Sequence, residues 1–127
     1  METVTKINSF EDLIVWQKSI ELSVCVYKLS STFPKEEVFG LTSQIRRASN
    51  SVSLNISEGS AKSTRHFINQ LSIARGSASE VLSAAILANK LDFIPISEVE
   101  ELRALISEIT KILNKLISKL ENKVNNS

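Results

Sequence analysis

Val99, Leu102, Ile106, Ile109, Leu113, Leu116 and Leu120 recur at alternating steps of three and four, and no other pattern restricts the fold of this chain as strongly. Such steps place one apolar row along one side of a helix, and Leu105, Ile112 and Ile117 widen the row into a face that wants helical neighbours. Burying each large aliphatic side chain there stabilises by about 1.5–3 kcal/mol before chain entropy is subtracted. Ser97, with Glu100 three residues on, has the form of a capping box and predicts where this helix starts.

Three earlier segments carry helical periodicity of their own. In the first, Leu13, Trp16, Ile20, Val24 and Tyr27 form one stripe, and Leu22, Val26, Leu29 and Phe33 form a second turned away from it. A helix apolar on two sides needs a second surface to bury against, beyond the core of its own bundle. Ser9 with Asp12 predicts a capped start, and Phe33-Pro34 a stop, because a residue before proline is pushed out of the α region.

A second helix, expected from near Glu36, has the seam Leu41, Ile45, Ala48, Val52, Ile56 and Gly59. Its small members, Ala48 and Gly59, let backbones approach closely, which predicts a central position. Ser63 or Thr64 caps the third helix, whose seam is Phe67, Leu71, Ala74, Ala78, Val81, Ala85 and Ala88. Gly76 within it costs roughly 1 kcal/mol relative to alanine, which predicts a close contact there.

Three glycines and two prolines in 127 residues are too few to punctuate many short strands. The chain is therefore all-α: an antiparallel up-down-up-down four-helix bundle forming a single domain over 1–127, with helices at about 11–31, 36–61, 65–90 and 97–122.

Chemistry is sparse in this sequence. His66 is the single histidine and Cys25 the single cysteine, so a nucleophilic triad or a multi-histidine metal site has too few members, and there is no glycine-rich phosphate loop. A non-enzymatic protein without cofactor or metal is expected. The opening METVTKINSF lacks a basic region followed by an apolar one, and no uncharged apolar run approaches bilayer length. A cytoplasmic chain with no membrane partner is the expectation.

The unusual stretch is QIRRASNSVSLNISEGSAKS, residues 44–63, polar and small where the rest is aliphatic. Between Val38 and Ser79 the basic residues Arg46, Arg47, Lys62, Arg65 and Arg75 face one acid, Glu58, a local excess of four positive charges. Such an excess is a modest signal for a polyanion and grows if copies are brought together. Arg47 and Glu58 lie about 20° apart around a helix but on the order of 16 Å apart along it, so they share a face without meeting. If that face is covered, their partners come from another helix or another subunit.

For Arg46 and Arg47 three readings stand: a solvated face, pairing at an interface, or contact with nucleic-acid phosphate. Lys62, Arg65 and His66 form a basic turn, read as solvated or as a phosphate clamp. Lys111, Lys115, Lys119 and Lys123 repeat along the last helix and complement the C-terminal end of its dipole. Trp16 is read as core or interface packing.

Ordered motifs then bring a family into view. Phe10-Glu11-Asp12-Leu13-Ile14-Val15-Trp16-Gln17-Lys18, Phe33-Pro34-Lys35-Glu36-Glu37, Phe39-Gly40-Leu41-Thr42-Ser43-Gln44-Ile45-Arg46-Arg47-Ala48, Asn55-Ile56-Ser57-Glu58-Gly59 and Ala74-Arg75-Gly76-Ser77 follow one another over residues 10–94. The set closely resembles the four-helix proteins encoded in intervening sequences of bacterial 23S ribosomal RNA genes, also called S23 ribosomal proteins. Ser53 stands where that family often has proline.

The resemblance implies a homopentamer around a central channel. It also implies kinship with the accessory variability proteins of diversity-generating retroelements, which associate with a reverse transcriptase and nucleic acid. Within such an assembly, pairs across subunits are expected from Arg46, Arg47, Glu58, Arg75 and Glu80, with Gln44 and Asn55 completing hydrogen bonds. Arg46, Arg47, Lys62, Arg65 and Arg75 are the candidates for RNA or DNA contact. The expected partners are thus the chain itself, RNA or DNA, and a reverse transcriptase; the alternative is a purely structural assembly module.

Overall fold

The computed structural model describes residues 9–126. They form α1 (Ile14–Ser30), α2 (Leu41–Ser60), α3 (Thr64–Lys90) and α4 (Ile96–Asn125), joined by short connections that run neighbours antiparallel. Each helix packs on its two neighbours in the cycle α1–α2–α3–α4. The α2–α3 seam is the most extensive, and among the described residues neither diagonal pair brings its backbones within 8 Å. Most of the N-terminal segment read above for targeting signals lies outside the described residues.

Two helices start later than their sequence signatures predict. Ser9 does cap, but its Oγ accepts the Glu11 N–H at 3.1 Å and begins a single 3₁₀ turn, Phe10–Asp12; Leu13 is extended and α1 starts at Ile14. The break brings Phe10 edge-on to Trp16 with ring centroids 5.1 Å apart. In a continuous helix, residues six apart would point roughly 120° away from each other. Lys35–Glu37 likewise form a 3₁₀ turn, and α2 waits until Leu41, whose N–H is accepted by the Glu37 carboxylate at 2.9 Å. Gly40 leaves room for that carboxylate, since a Cβ there would lie 2.8 Å from Glu37 Oε1.

At α4 the capping box does not form. Pro95 is extended and the helix begins at Ile96, so Ser97 already lies inside the first turn and Glu100 meets Arg103 at 3.2 Å instead. The other two ends follow expectation. Ser63 Oγ accepts the His66 N–H at the start of α3. At its end Asp92 takes φ 66°, Phe93 N–H reaches Ala88 O at 2.8 Å and Asp92 N–H reaches Asn89 O at 2.9 Å, a Schellman closure.

The predicted seams of α2 and α3 are buried, apart from Phe67, which is partly so. On α4 the buried row is Val99, Leu102, Ile106, Ile109, Leu113 and then Ile117 in place of Leu116. A straight helix of 3.6 residues per turn drifts against a strict heptad, and the eighteen steps from Val99 to Ile117 make about five whole turns.

On α1 the bundle buries the second stripe and takes only the start of the first, Leu13 and Trp16, which pack partly buried against the core. Val15, Leu22, Val26 and Leu29 are buried, whereas Ile20, Val24 and Tyr27 stay 37%, 50% and 42% exposed.

The two helical glycines part company. A Cβ on Gly59 would lie 2.7 Å from Gln70 Cβ, so α2 and α3 close on each other there. A Cβ on Gly76 would meet nothing within 4 Å, so the close contact expected at Gly76 does not exist within the protomer. By length and mean hydropathy alone α3 would reach across a bilayer; in the bundle it lies between α2 and α4.

Candidate functional site

Polar residues of α2 recur at Gln44, Arg47, Ser51, Asn55 and Glu58, steps of three and four that align them along the groove beside α3. α3 answers with Gln70, Ser77 and Glu80. Gln70 Nε2 donates to Asn55 Oδ1 at 3.1 Å and to Glu58 Oε1 at 2.7 Å. The Asn55 amide donates in turn to Ser51 O at 2.7 Å and Ser51 Oγ at 3.0 Å, and Ser77 Oγ donates to Ser51 Oγ at 2.9 Å. The network is continuous along the lower seam, beside the point where Gly59 brings the backbones together.

Glu58 therefore finds its main partner on the neighbouring helix of the same chain. Its ion pair with Lys62 is long, 3.9 Å, and both side chains are about half exposed, so that pair adds little. Higher up the groove, Gln44, Arg47, Ser51 and Glu80 surround a shallow recess. Among the described residues Arg47 and Glu80 form no ion pair, and both project to the surface.

Arg46 and Arg47 are sequence neighbours with different surroundings, because successive residues on a helix diverge by about 100°. Arg46 points at α1. Its Nε donates to Ser30 Oγ at 2.8 Å, its Nη2 donates to Tyr27 O at 3.3 Å, and its guanidinium sits 4.5 Å from the Tyr27 ring centroid. Asn50, one turn on, donates from Nδ2 to the Tyr27 hydroxyl at 2.9 Å. A half-exposed cation–π contact with two hydrogen bonds makes Arg46 a tie between α1 and α2.

Arg75, grouped with these arginines from sequence, lies on the other side of the molecule. Its Nη1 donates to Asn114 Oδ1 of α4 at 2.7 Å. Lys62, Arg65 and His66 are exposed at the α2–α3 turn. The structure thus brings Gln44, Arg47, Asn55, Glu58 and Glu80 into one groove and sends Arg46, Arg65 and Arg75 elsewhere.

Sequence reasoning missed Gln70, Ser51, Ser77, Asn50, Ser30 and Asn114. A usable signal existed for some: Asn50 follows Arg46 by four, and Gln70 lies one turn after Phe67 on the seam side. Trp16 is partly buried against the core, in line with its reading as packing.

Cys25 is exposed, beside a recess between α1 and α4 lined by Lys28, Leu29, Glu98, Glu101 and Leu102. Burial first, and then the Glu21 and Glu101 charges, push its thiol above the usual range. A thiol held protonated is a poor nucleophile. Among the described residues no three His, Cys, Asp or Glu side chains gather as a metal site.

A family model described as 23S rRNA-intervening sequence protein matches residues 11–115, reaching into α4 beyond the stretch on which the sequence motifs rest. No curated protein matches the chain significantly. Among solved structures, a protein of unknown function from the S23 ribosomal protein family of Bacteroides thetaiotaomicron VPI-5482 superposes with a TM-score of 0.73 at 30% identity, covering 82% of this chain and 98% of that one.

Proposed function

The chain belongs to the 23S rRNA-intervening sequence protein family, and from that premise we propose that it is a non-enzymatic, self-assembling bundle, a homopentamer, that holds nucleic acid. The nucleic acid is RNA or DNA, alone or with a reverse transcriptase, as kinship with the retroelement accessory proteins implies.

One observation carries the assembly reading: the outer stripe of α1. Val24 is 50% and Tyr27 42% exposed, while Leu54 at 63% and Ile73 at 44% crop out on the α2 and α3 surfaces. Different patches on one protomer suit a heterologous contact, and a heterologous contact that closes makes a ring. Repetition around a ring multiplies the local positive excess of residues 38–79 and supports the nucleic-acid reading.

Sedimentation at micromolar protein is expected to return five times the 14.1 kDa protomer mass. Val24→Asp is expected to return single protomers of undiminished helicity, because the side chain is half exposed within the protomer. A wild-type chain that sediments as a folded single protomer overturns the ring. Filter binding of RNA is expected to weaken by orders of magnitude between about 50 mM and about 200 mM salt if several phosphates are contacted. Assembly without such binding would favour the structural module, with its arginines spent on contacts like that of Arg46 with α1.

A further inference from the structure

The charges of α3 and α4 are sorted by side. In the central part of α4, between Arg103 and Ser118, the one carboxylate is Glu108, and it turns to α1 to meet Lys18 at 3.3 Å. In α3 the one carboxylate is Glu80, and it belongs to the groove with Gln44 and Arg47 on the α2 side. Both acids are thereby removed from the α3–α4 groove.

The charge that remains there is cationic. An open trough, apolar along Leu82, Ile86 and Ile106, also carries Ser79 and Ser83 of α3 and Arg103, Ser107, Thr110 and Lys111 of α4. Arg75 enters the same side through its 2.7 Å bond to Asn114, and Lys111 and Lys115, both exposed, stand with Asn114 along an adjoining recess on the outer face of α4. Glu100, paired with Arg103, and Glu121, beside Arg65, mark the two ends. On the outer edge of α3, Gly76 adds no bulk, so another backbone can come close.

We propose that this α3–α4 groove, centred on Arg75, Lys111 and Lys115, is the surface that holds the phosphate backbone of a nucleic-acid strand. The proposal rests on the nucleic-acid reading above and moves the contact away from Arg46, which is occupied by Tyr27 and Ser30. From Arg103 to Ser118 the track is about 22 Å long, enough to follow several successive phosphates of one strand. Hydroxyls and amides between the cations supply donors to phosphate oxygens without reading bases, so binding tolerates sequence.

The test is filter binding of a single-stranded RNA oligonucleotide over a range of salt. It compares wild type with Arg75→Gln/Lys111→Gln/Lys115→Gln and with Lys28→Gln/Lys35→Gln/Lys123→Gln, which removes equal charge elsewhere and leaves the Lys18–Glu108 pair intact. Losing three phosphate contacts is expected to lower the slope of log affinity against log salt by about two, at about 0.7 per contact, and to weaken binding roughly tenfold or more at low salt. The control triple is expected to stay near wild type.

Equal losses in both triples, or no loss in the groove triple, overturn the groove while leaving nucleic-acid binding standing. A wild type that binds no RNA at low salt overturns both readings together. Lys111→Gln/Lys115→Gln, which breaks no internal bond, gives the same decision if Arg75→Gln disturbs folding.

Discussion

The α2–α3 seam and the row of α4 hold the same bundle together with opposite materials. α4 supplies Leu102, Ile106, Ile109, Leu113 and Ile117, large side chains that fill volume at ordinary helix spacing. α2 and α3 meet through Gly59, Ala48, Ala74 and Ala78, with Ser77 bonded to Ser51 between them. Small residues contribute little apolar area, so their gain comes from near contact between backbones and from the side-chain bonds that such contact permits. On the side of α2 that carries Arg46 and Asn50, buried Ser49 and Ser53 fit because each hydroxyl bonds a carbonyl of the preceding turn, Arg46 O at 2.9 Å and Asn50 O at 3.3 Å. One seam depends on volume, the other on distance.

The largest effect that can break this comparison is a cavity in α4. Leu113 is fully buried, and Leu113→Ala is expected to cost about 2–5 kcal/mol in urea unfolding. A cost below that of a surface substitution would mean that α4 is not the volume-filled seam described here.

Gly59→Ala comes next, with an expected loss of about 1–3 kcal/mol from overpacking, although alanine favours helix. Its Cβ has Gln70 Cβ at 2.7 Å and Phe67 at 3.0 Å to displace, and unchanged stability would remove the close approach on which the α2–α3 account depends.

The smallest change is the opposite in sign. Gly76→Ala places a methyl in open space and is expected to raise stability by about 1 kcal/mol, read as a shift in the urea midpoint. The same substitution sharpens the comparison if it weakens assembly or RNA binding while stabilising the protomer, because only a second molecule can occupy that space.

The seams were legible because burial repeats with the helix: Leu41, Ile45, Ala48, Val52 and Ile56 need no neighbour to be named before their common face is known. Starts were less legible. Ser9 with Asp12 and Ser97 with Glu100 look alike, yet one opens a 3₁₀ turn shaped by the Phe10–Trp16 contact and the other falls inside a helix already begun at Ile96. The arginines show the same limit. Adjacency requires Arg46 and Arg47 to diverge, but Tyr27, nineteen residues upstream of Arg46, decides which of them is tied down.

Periodicity and the shortage of turn residues thus determined by themselves that this chain makes four amphipathic helices, and which rows of α2 and α3 are the core; the choice between the two stripes of α1 was made by packing. Tertiary structure alone decided the partners of polar side chains that reach between helices: Arg46 on Tyr27, Glu58 on Gln70, Arg75 on Asn114, Glu108 on Lys18. The reason is physical. Apolar burial is non-directional and is written in spacing along one helix, whereas a hydrogen bond or ion pair needs a particular atom within about 3–4 Å, and that atom belongs to another part of the chain.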